Sequence, residues 1–358
     1  MPAFGPDHYV PVLKVKPAEK AAMYNLSASV AARVTPLLEI VERKEKSETK
    51  SKAAYLPSLD EHLDETFRGL RKAVNTFDRY FLDCRELAPD GHAAAVNVFA
   101  SAAKLGTPFI PVVSITRTSD VAAALAHRKH GIAIRLSYGE FSKGRMRTDL
   151  PKFIEAHGLL EREVDLFVDL EDVDQMIGVG VAERVSELLA EVPNHAAWRT
   201  FTLSACDFPS SLKIEADSHE LFPRLHWNNW REELFANRSL LTRLPSFSDC
   251  GIQHRKGVEG IDFSKISPSA TIRHALAGSW YIAKGRNMAE HGGAQFQGLA
   301  AKALSDTAAS GAHCPGCRAL PRAAADPKGY KSPQKWRELG TIHHITLTAE
   351  ILAALPWP

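Results

Sequence analysis

Charged side chains recur at the ends of apolar, strand-length runs in this chain. Six runs carry them, at Lys14, Lys16, Glu39, Glu42, Asp83, Arg85, Arg135, Asp169, Glu171 and Asp249. An isolated charge is costly to bury, so each of these side chains needs an ionic partner or a hydrated cavity. If the runs are strands of a parallel barrel, their carboxyl ends meet at the face where active sites form. We therefore predict a polar functional site there, with purely structural ion pairs as the alternative.

The signs of these charges predict two kinds of ligand. Glu39, Asp83 and Asp169 offer the carboxylate oxygens that Mg²⁺ prefers, with Glu39 and Asp169 as its candidate ligands. A phosphate is held by an arginine fork or by the point charge of a lysine. The candidate phosphate clamps are Lys14, Arg135 and Arg273. The same mixture of acids and bases is typical of a self-neutralising structural network, so the pattern leaves both interpretations open.

Two adjacent histidines, His343 and His344, lie near the end of the chain. Histidine is the side chain best suited to proton transfer near neutral pH, so both are candidate catalytic residues. We treat residues 336–346 as extended, and neighbouring side chains of an extended segment point to opposite sides. At most one of the pair then faces a given site. The alternative is a pair of buried, hydrogen-bonded imidazoles that hold the tail on the rest of the fold.

A Cys-x-x-Cys motif, Cys314 to Cys317, lies in an Ala/Gly/Pro-rich stretch that we predict to be a loop over residues 310–333. Such a motif supplies two of the four ligands of a structural zinc site. The residues that could complete it are His291, His313, His343 and His344. We expect inert loop thiols, with Zn²⁺ binding and thiol redox chemistry as alternatives. The other cysteines, Cys84, Cys206 and Cys250, lie in predicted strands and are expected to pack in the core.

The elements that must position these residues alternate along the chain. The predicted strands are residues 9–16, 34–42, 80–87, 108–115, 131–138, 164–171, 198–206 and 245–254. The predicted helices are residues 18–32, 59–76, 93–105, 119–128, 149–158, 173–191 and 226–236. Strands alternating with helices form parallel sheets, and continuous apolar runs are typical of strands buried on both faces. We predict an α/β fold, a parallel (β/α)8 TIM-like barrel, with a doubly wound open sheet as the alternative.

The chain divides, on this interpretation, into a barrel over residues 1–254 and a C-terminal extension over residues 255–358. The extension is predicted to contain a hairpin at 272–275 and 280–283, a helix at 294–304, the loop 310–333 and a terminal helix at 346–355. A highly charged stretch, residues 41–55, follows the second strand, and we predict a mobile loop at the barrel mouth.

Composition excludes several classes of protein. The chain has 358 residues, of which 45% are apolar and 24% charged, so it is neither disordered nor collagenous. The net charge of +2 indicates no basic surface overall, and five cysteines favour a reducing compartment. Neither a signal peptide nor a membrane-spanning run is visible, so we expect a cytoplasmic protein. Motifs of P-loop, Rossmann, zincin and α/β-hydrolase enzymes are absent.

Short motifs spread over most of the chain make it resemble the bacteriophage-type beta protein family. They are residues 9–16, 35–40, 83–85, 134–136, 249–254, 269–273 and 336–346. The resemblance implies a barrel-like α/β fold in phage and bacterial proteins, often near mobile or defence loci, without a settled reaction. It also implies one shared site, formed by Lys14, Lys16, Glu39, Asp83, Arg85, Arg135, Asp249, Arg273, His343 and His344. The Cys314–Cys317 pair departs from the family pattern.

Together these features predict that the barrel mouth binds a phosphorylated ligand, a nucleotide or a nucleic-acid end. Mg²⁺-dependent phosphoester hydrolysis in a phage–host conflict is one form of that function, with Glu39 and Asp169 as metal ligands or general base and His343 or His344 as the acid. The alternative is a non-catalytic recognition protein of a defence or counter-defence system, which captures a nucleotide or a protein partner from the same operon. Metal dependence distinguishes the two.

Overall fold

The structure is a computed structural model that describes residues 3–46, 48, 53–141, 144–173, 181–255, 268–307 and 313–357. Its strands are β1 (Val12–Lys14), β2 (Leu37–Glu39), β3 (Tyr80–Asp83), β4 (Phe109–Val113), β5 (Ile132–Ser137), β6 (Val164–Asp172), β7 (Thr200–Cys206), β8 (Ser218–Pro223), β9 (Ser246–Asp249), β10 (Ser269–Ala275) and β11 (Ser279–Asn287). Parts of three predicted segments, 41–55, 173–191 and 310–333, lie outside the described residues.

Its α-helices are α1 (Pro17–Tyr24), α2 (Ala28–Ala31), α3 (Leu59–Phe67), α4 (Leu70–Val74), α5 (Gly91–Ala103), α6 (Val121–Ala126), α7 (Tyr138–Phe141), α8 (Met146–Ala156), α9 (Val181–Glu191), α10 (Leu225–Asn229), α11 (Met288–His291), α12 (Phe296–Thr307), α13 (Pro315–Ala325) and α14 (Pro333–Ala354). None of the helices within the described ranges combines the length and the apolar character needed to cross a membrane.

Eight parallel strands form a nearly closed barrel in the order β1-β2-β3-β4-β5-β6-β7-β9. The first and last strands approach each other just before β1, where the Val10 amide donates to the Phe247 carbonyl at 3.1 Å. Helices lie between most successive strands, as the crossover connections of a parallel sheet require. The predicted parallel barrel is therefore confirmed.

Side-chain parity builds the barrel interior in two layers. A lower, apolar layer is formed by Val12, Leu37, Phe81, Ala133 and Phe167, which pack in one interior cluster. Residues two positions further along a strand point to the same face. The upper layer therefore consists of charged side chains, Lys14, Glu39, Asp83, Arg135 and Asp169, and all five are buried. The intervening residues, such as Leu38 and Ile134, pack outward against the helices.

The extension contains a second sheet, antiparallel, in the order β10-β11-β8. The predicted hairpin corresponds to β10 and β11, but β8 was not predicted. Its sequence has no apolar run because most of its residues are partly or fully exposed. Since β8 precedes β9 in the chain, the extension takes one strand from within residues 1–254, and the predicted boundary at residue 254 stays a prediction.

Two predictions for the extension are wrong. Residues 315–325, expected in a loop, form α13, and residues 336–346, expected to be extended, lie inside α14. Each helix begins with a proline at its first positions, Pro315 and Pro333, where the missing amide proton costs nothing. The sequence of α14 conceals the helix because buried residues surround most of its circumference, so no polar face marks a period of 3.6.

Candidate functional site

A cavity of about 1380 Å³ lies over the barrel mouth. Its walls come from the segments that follow β1, β2, β3, β7 and β9 and from the end of β6, together with residues of β10 and α14. Nine lysine and arginine residues but only seven acidic residues line it, so the cavity has an excess of positive charge. The charged stretch after β2 contributes Glu42, Lys44, Glu45 and Lys46 to the wall, at the mouth where it was expected.

Arg135 and three carboxylates form a buried ionic cluster beneath this cavity. The Arg135 Nη1 donates to Glu39 Oε1 at 2.6 Å and to Asp83 Oδ2 at 3.1 Å, while its Nε donates to Asp169 Oδ2 at 2.9 Å. Arg135 is only 4% exposed. Its guanidinium fork thus joins strands β2, β3, β5 and β6, and it does not line the cavity itself.

Further arginines surround the same acids. Arg117 Nη2 lies 2.8 Å from Asp83 Oδ1, and Arg85 Nη1 lies 3.2 Å from Asp169 Oδ2. Burial alone would raise the pKa of Asp169, but Arg135 and then its other arginine neighbours outweigh burial and hold that pKa at about 2. The arginine neighbours likewise outweigh burial at Asp83 and lower its pKa, and Arg135 is the cation that Glu39, Asp83 and Asp169 share. Mg²⁺ at Glu39 and Asp169 stays a prediction, since this geometry gives both carboxylates another cationic partner.

Most cations of the cavity wall are neutralised. Lys14 Nζ lies 2.5 Å from Glu86 Oε1, and Lys46 Nζ lies 2.9 Å from Glu65 Oε2. Arg255 Nη1 lies 3.0 Å from the carboxylate of Glu171. The remaining pairs are Lys44 with Glu42 and Arg85 with Glu171, while Lys20 donates to backbone carbonyl groups. These contacts give most of the acidic residues in the wall a cationic partner, but they leave several of its lysines and arginines without an acidic one.

Apart from Lys20, whose ammonium donates to backbone carbonyl groups, three lining cations have no carboxylate within ion-pair distance among the residues that the structure describes: Lys16, Arg273 and Arg337. We call this set the cation triad. Arg273 Nη1 donates to the Ile252 carbonyl at 2.7 Å, and its guanidinium lies 4.9 Å from the centre of the Phe208 ring. Its interactions are therefore with a neutral carbonyl and an aromatic face.

The electrostatics of the cation triad favour an anion. Burial, and then the charge of Arg337, lower the pKa of Arg273, and burial, followed by Lys14, lowers the pKa of Lys16. The acid that acts most on both is Glu19, and burial raises its pKa. An arginine stays protonated at neutral pH, so these shifts describe positive charge held at a free-energy cost. An anion in this part of the cavity would reduce that cost.

A histidine–carboxylate pair also lines the cavity. His254 Nε2 lies 2.6 Å from Asp172 Oδ2. An imidazole oriented by a carboxylate can accept or donate a proton at a bound ligand. Neither residue was singled out as a site residue from the sequence, although His254 ends the last predicted strand. Arg337 was missed as well, because it lies in α14 and no strand end marks it.

Asp249 and His344 do not reach the mouth, contrary to the expectation of one shared site. Tyr9 Oη donates to Asp249 Oδ1 at 2.5 Å, and His344 Nε2 lies 3.0 Å from Asp249 Oδ2. Asp249 shares the strand face of Phe247, which packs in the outer cluster, whereas Ser248 points inward to Ser204. The Asp249 group therefore lies between the barrel wall and the extension.

His343 and the two cysteines also lie apart from the cavity lining. His343 stacks on His274 with ring centroids 3.8 Å apart, and its Nδ1 lies 3.2 Å from Cys317 Sγ. Adjacent residues of a helix differ by about 100° in direction, which separates His343 from His344. Of the ten residues in the predicted shared site, Lys14, Lys16, Glu39, Arg85 and Arg273 line the cavity, and Asp83 and Arg135 lie in the cluster beneath it.

In a comparison with protein-family models, the chain matches the model described as Beta protein over residues 9–350. No curated protein matches the sequence. The matched range contains the whole barrel, the antiparallel sheet and nearly all of α14. It also agrees with the motifs noted in the sequence, from the first strand to the histidine pair. The chain therefore belongs to the Beta protein family.

Proposed function

We propose that the mouth cavity binds a phosphate-bearing ligand, a nucleotide or the phosphorylated end of a nucleic acid. The observation that carries this proposal is the cation triad, three positive side chains on a cavity wall without an acidic partner among the described residues. A guanidinium fork matches two phosphate oxygens, and a lysine adds a mobile point charge. The cavity, at about 1380 Å³, exceeds the size typical of a small-molecule site and has room for a base and sugar beside the phosphates.

Binding of inorganic pyrophosphate tests this proposal. We expect Arg273→Gln and Arg337→Gln each to weaken binding by about 10- to 100-fold, because each loses a charged hydrogen bond of about 1.5–3 kcal/mol. Isothermal titration calorimetry measures the change. Arg286→Gln is the matched control, since Arg286 lies in the same sheet but pairs with Asp217 on the surface. Equal affinity of all four proteins would contradict the proposal.

Recognition without turnover is the form of this function that the geometry favours. Glu39, Asp83 and Asp169 already share the Arg135 guanidinium, so the acids expected to bind Mg²⁺ have a resident counterion. The hydrolytic alternative draws support from His254 and Asp172, which could activate a water at the cavity wall. Nucleotide binding that persists in EDTA, with no product formed in Mg²⁺, would support recognition. Product formed only with Mg²⁺ would support hydrolysis.

Alkaline pH should weaken pyrophosphate binding through Lys16. Burial and Lys14 lower the pKa of Lys16, so this side chain loses its positive charge at a lower pH than a free lysine, whose pKa is about 10.4. The affinity should therefore fall as the pH rises toward that value. In Lys16→Arg the charge persists, and the fall should be smaller. Titrations across this pH range compare the two proteins, and identical profiles would remove Lys16 from the site.

A further inference from the structure

We propose that His313, Cys314, Cys317 and His343 form a structural Zn²⁺ site. The site would fasten α13 to α14 and lies apart from the mouth cavity. The candidate ligand atoms, one from each residue, all lie within 4.8 Å of one another, and Cys314, Cys317 and His343 are buried. The cysteine spacing and the two histidine nitrogens match the Cys₂His₂ ligand set of structural zinc sites.

The distances between the ligand atoms fit a tetrahedral ion. With Zn–S bonds of about 2.3 Å and Zn–N bonds of about 2.0 Å, tetrahedral geometry places two sulfurs roughly 3.8 Å apart and a sulfur and a nitrogen roughly 3.5 Å apart. The two Sγ atoms are 3.8 Å apart. His343 Nδ1 lies 3.5 Å from Cys314 Sγ and 3.2 Å from Cys317 Sγ, and His313 Nδ1 lies 3.8 Å from Cys317 Sγ. The four groups thus surround a centre of the right size.

The partners of both imidazoles leave the correct nitrogen available. His343 Nε2 lies 2.8 Å from the Ala275 carbonyl, which can only accept, so this nitrogen carries the proton. His313 Nε2 contacts the Glu350 carboxylate in the same manner. Each Nδ1 therefore presents its lone pair to the cysteines. A carbonyl or carboxylate that orients a histidine in this way is a regular feature of zinc sites.

Close packing of the two helices brings the ligands together. A Cβ on Gly316, between the two cysteines, would lie 2.5 Å from the Leu339 carbonyl and 2.7 Å from the Cβ of His343. Only glycine permits this approach, so the Cys-Pro-Gly-Cys sequence suits the contact with α14. Four protein ligands would complete the coordination of Zn²⁺ and leave no position for a substrate, which makes the site structural.

The metal content of the purified protein tests this inference directly. We expect close to one zinc per chain by elemental mass spectrometry, as a Cys₂His₂ site holds one ion, and a loss of at least ten-fold in Cys314→Ser/Cys317→Ser. His291→Ala is the matched control, because His291 lies in α11 outside the cluster and should leave the zinc content unchanged. Substitution by Co²⁺ should give the visible absorption of a tetrahedral ion with thiolate charge transfer.

A measurement on the unaltered chain covers the case in which the double variant does not fold. Titration of the native protein with an organomercurial should release zinc in step with the two thiols, and a zinc-binding dye reports the release. Wild-type protein that carries neither zinc nor reconstituted cobalt would overturn the proposal. So would a Cys314–Cys317 disulfide in the protein purified without reductant, since it would assign the pair to redox chemistry.

Discussion

Replacing Arg135 with alanine is expected to lower the free energy of unfolding by about 3–5 kcal/mol, a large part of the roughly 5–15 kcal/mol that stabilises an ordinary domain. The change removes the one guanidinium that joins Glu39, Asp83 and Asp169, and it leaves their carboxylates buried and close together. Urea denaturation followed by circular dichroism measures the loss. If the alanine variant keeps the stability of the wild type, these strand-end acids do not depend on Arg135.

Two further variants serve as controls for Arg135→Ala. Arg135→Lys keeps the charge but offers a single ammonium in place of the fork, so we expect a smaller loss of stability than in Arg135→Ala. Arg286→Ala removes an exposed arginine paired with Asp217, and such surface pairs contribute about 1 kcal/mol or less. If Arg135→Ala loses the most stability of the three variants, the loss reflects the buried ionic cluster and not a general effect of removing positive charge.

Asp249→Ala should destabilise the protein by a similar amount, about 3–5 kcal/mol, because it leaves the buried Arg224 without its carboxylate partner. Arg224 is fully buried in contact with the rings of Trp227 and Trp280, and Asp249 Oδ2, at 3.6 Å, is its carboxylate partner. Tyr9→Phe removes only the hydroxyl that donates to the Asp249 carboxylate, so its cost should be smaller, about 1.5–3 kcal/mol. Thermal and urea unfolding compare the variants. A larger loss in Tyr9→Phe than in Asp249→Ala would contradict this assignment.

The Asp249 group, which consists of Asp249, Tyr9 and His344, also explains what holds the extension on the barrel. Tyr9 precedes β1, Asp249 ends β9, and His344 belongs to α14, so a single carboxylate joins both edges of the barrel wall to the last helix. His343, the next residue along α14, faces the cysteines. Two consecutive residues of α14 thus have different partners: His344 bonds to Asp249 at the barrel wall, and His343 belongs to the proposed zinc site. Loss of zinc should therefore weaken the attachment of α14 to the rest of the molecule.

The barrel could be predicted because each of its strands is marked by residues that are close together in the sequence. Each strand is a short apolar run, and counting two positions from Phe81 or Ala133 gives Asp83 or Arg135 on the interior face. The same counting places Asp249 on the face of Phe247, which could have excluded it from the mouth. Parity, applied strand by strand, would have improved the predicted site.

The features that the sequence analysis missed depend on contacts between distant parts of the chain. Arg337 joins Arg273 in the cavity wall only because α14 packs on β10, where a Cβ on Gly340 would lie 2.7 Å from the Arg273 carbonyl. The sequence around Arg337 has no strand-end signal. Likewise, β8 is an exposed strand whose pairing with β11 leaves no apolar pattern. These features require knowledge of which elements pack together.

A crystal structure of the protein with inorganic pyrophosphate is the direct test of the proposed anion site. We expect pyrophosphate to lie in the mouth cavity, with its oxygens within hydrogen-bond distance of Arg273, Arg337 and Lys16 and with the Arg135 cluster unchanged beneath it. Pyrophosphate bound only outside the cavity, or a cavity without it at concentrations that saturate binding in solution, would contradict the proposal.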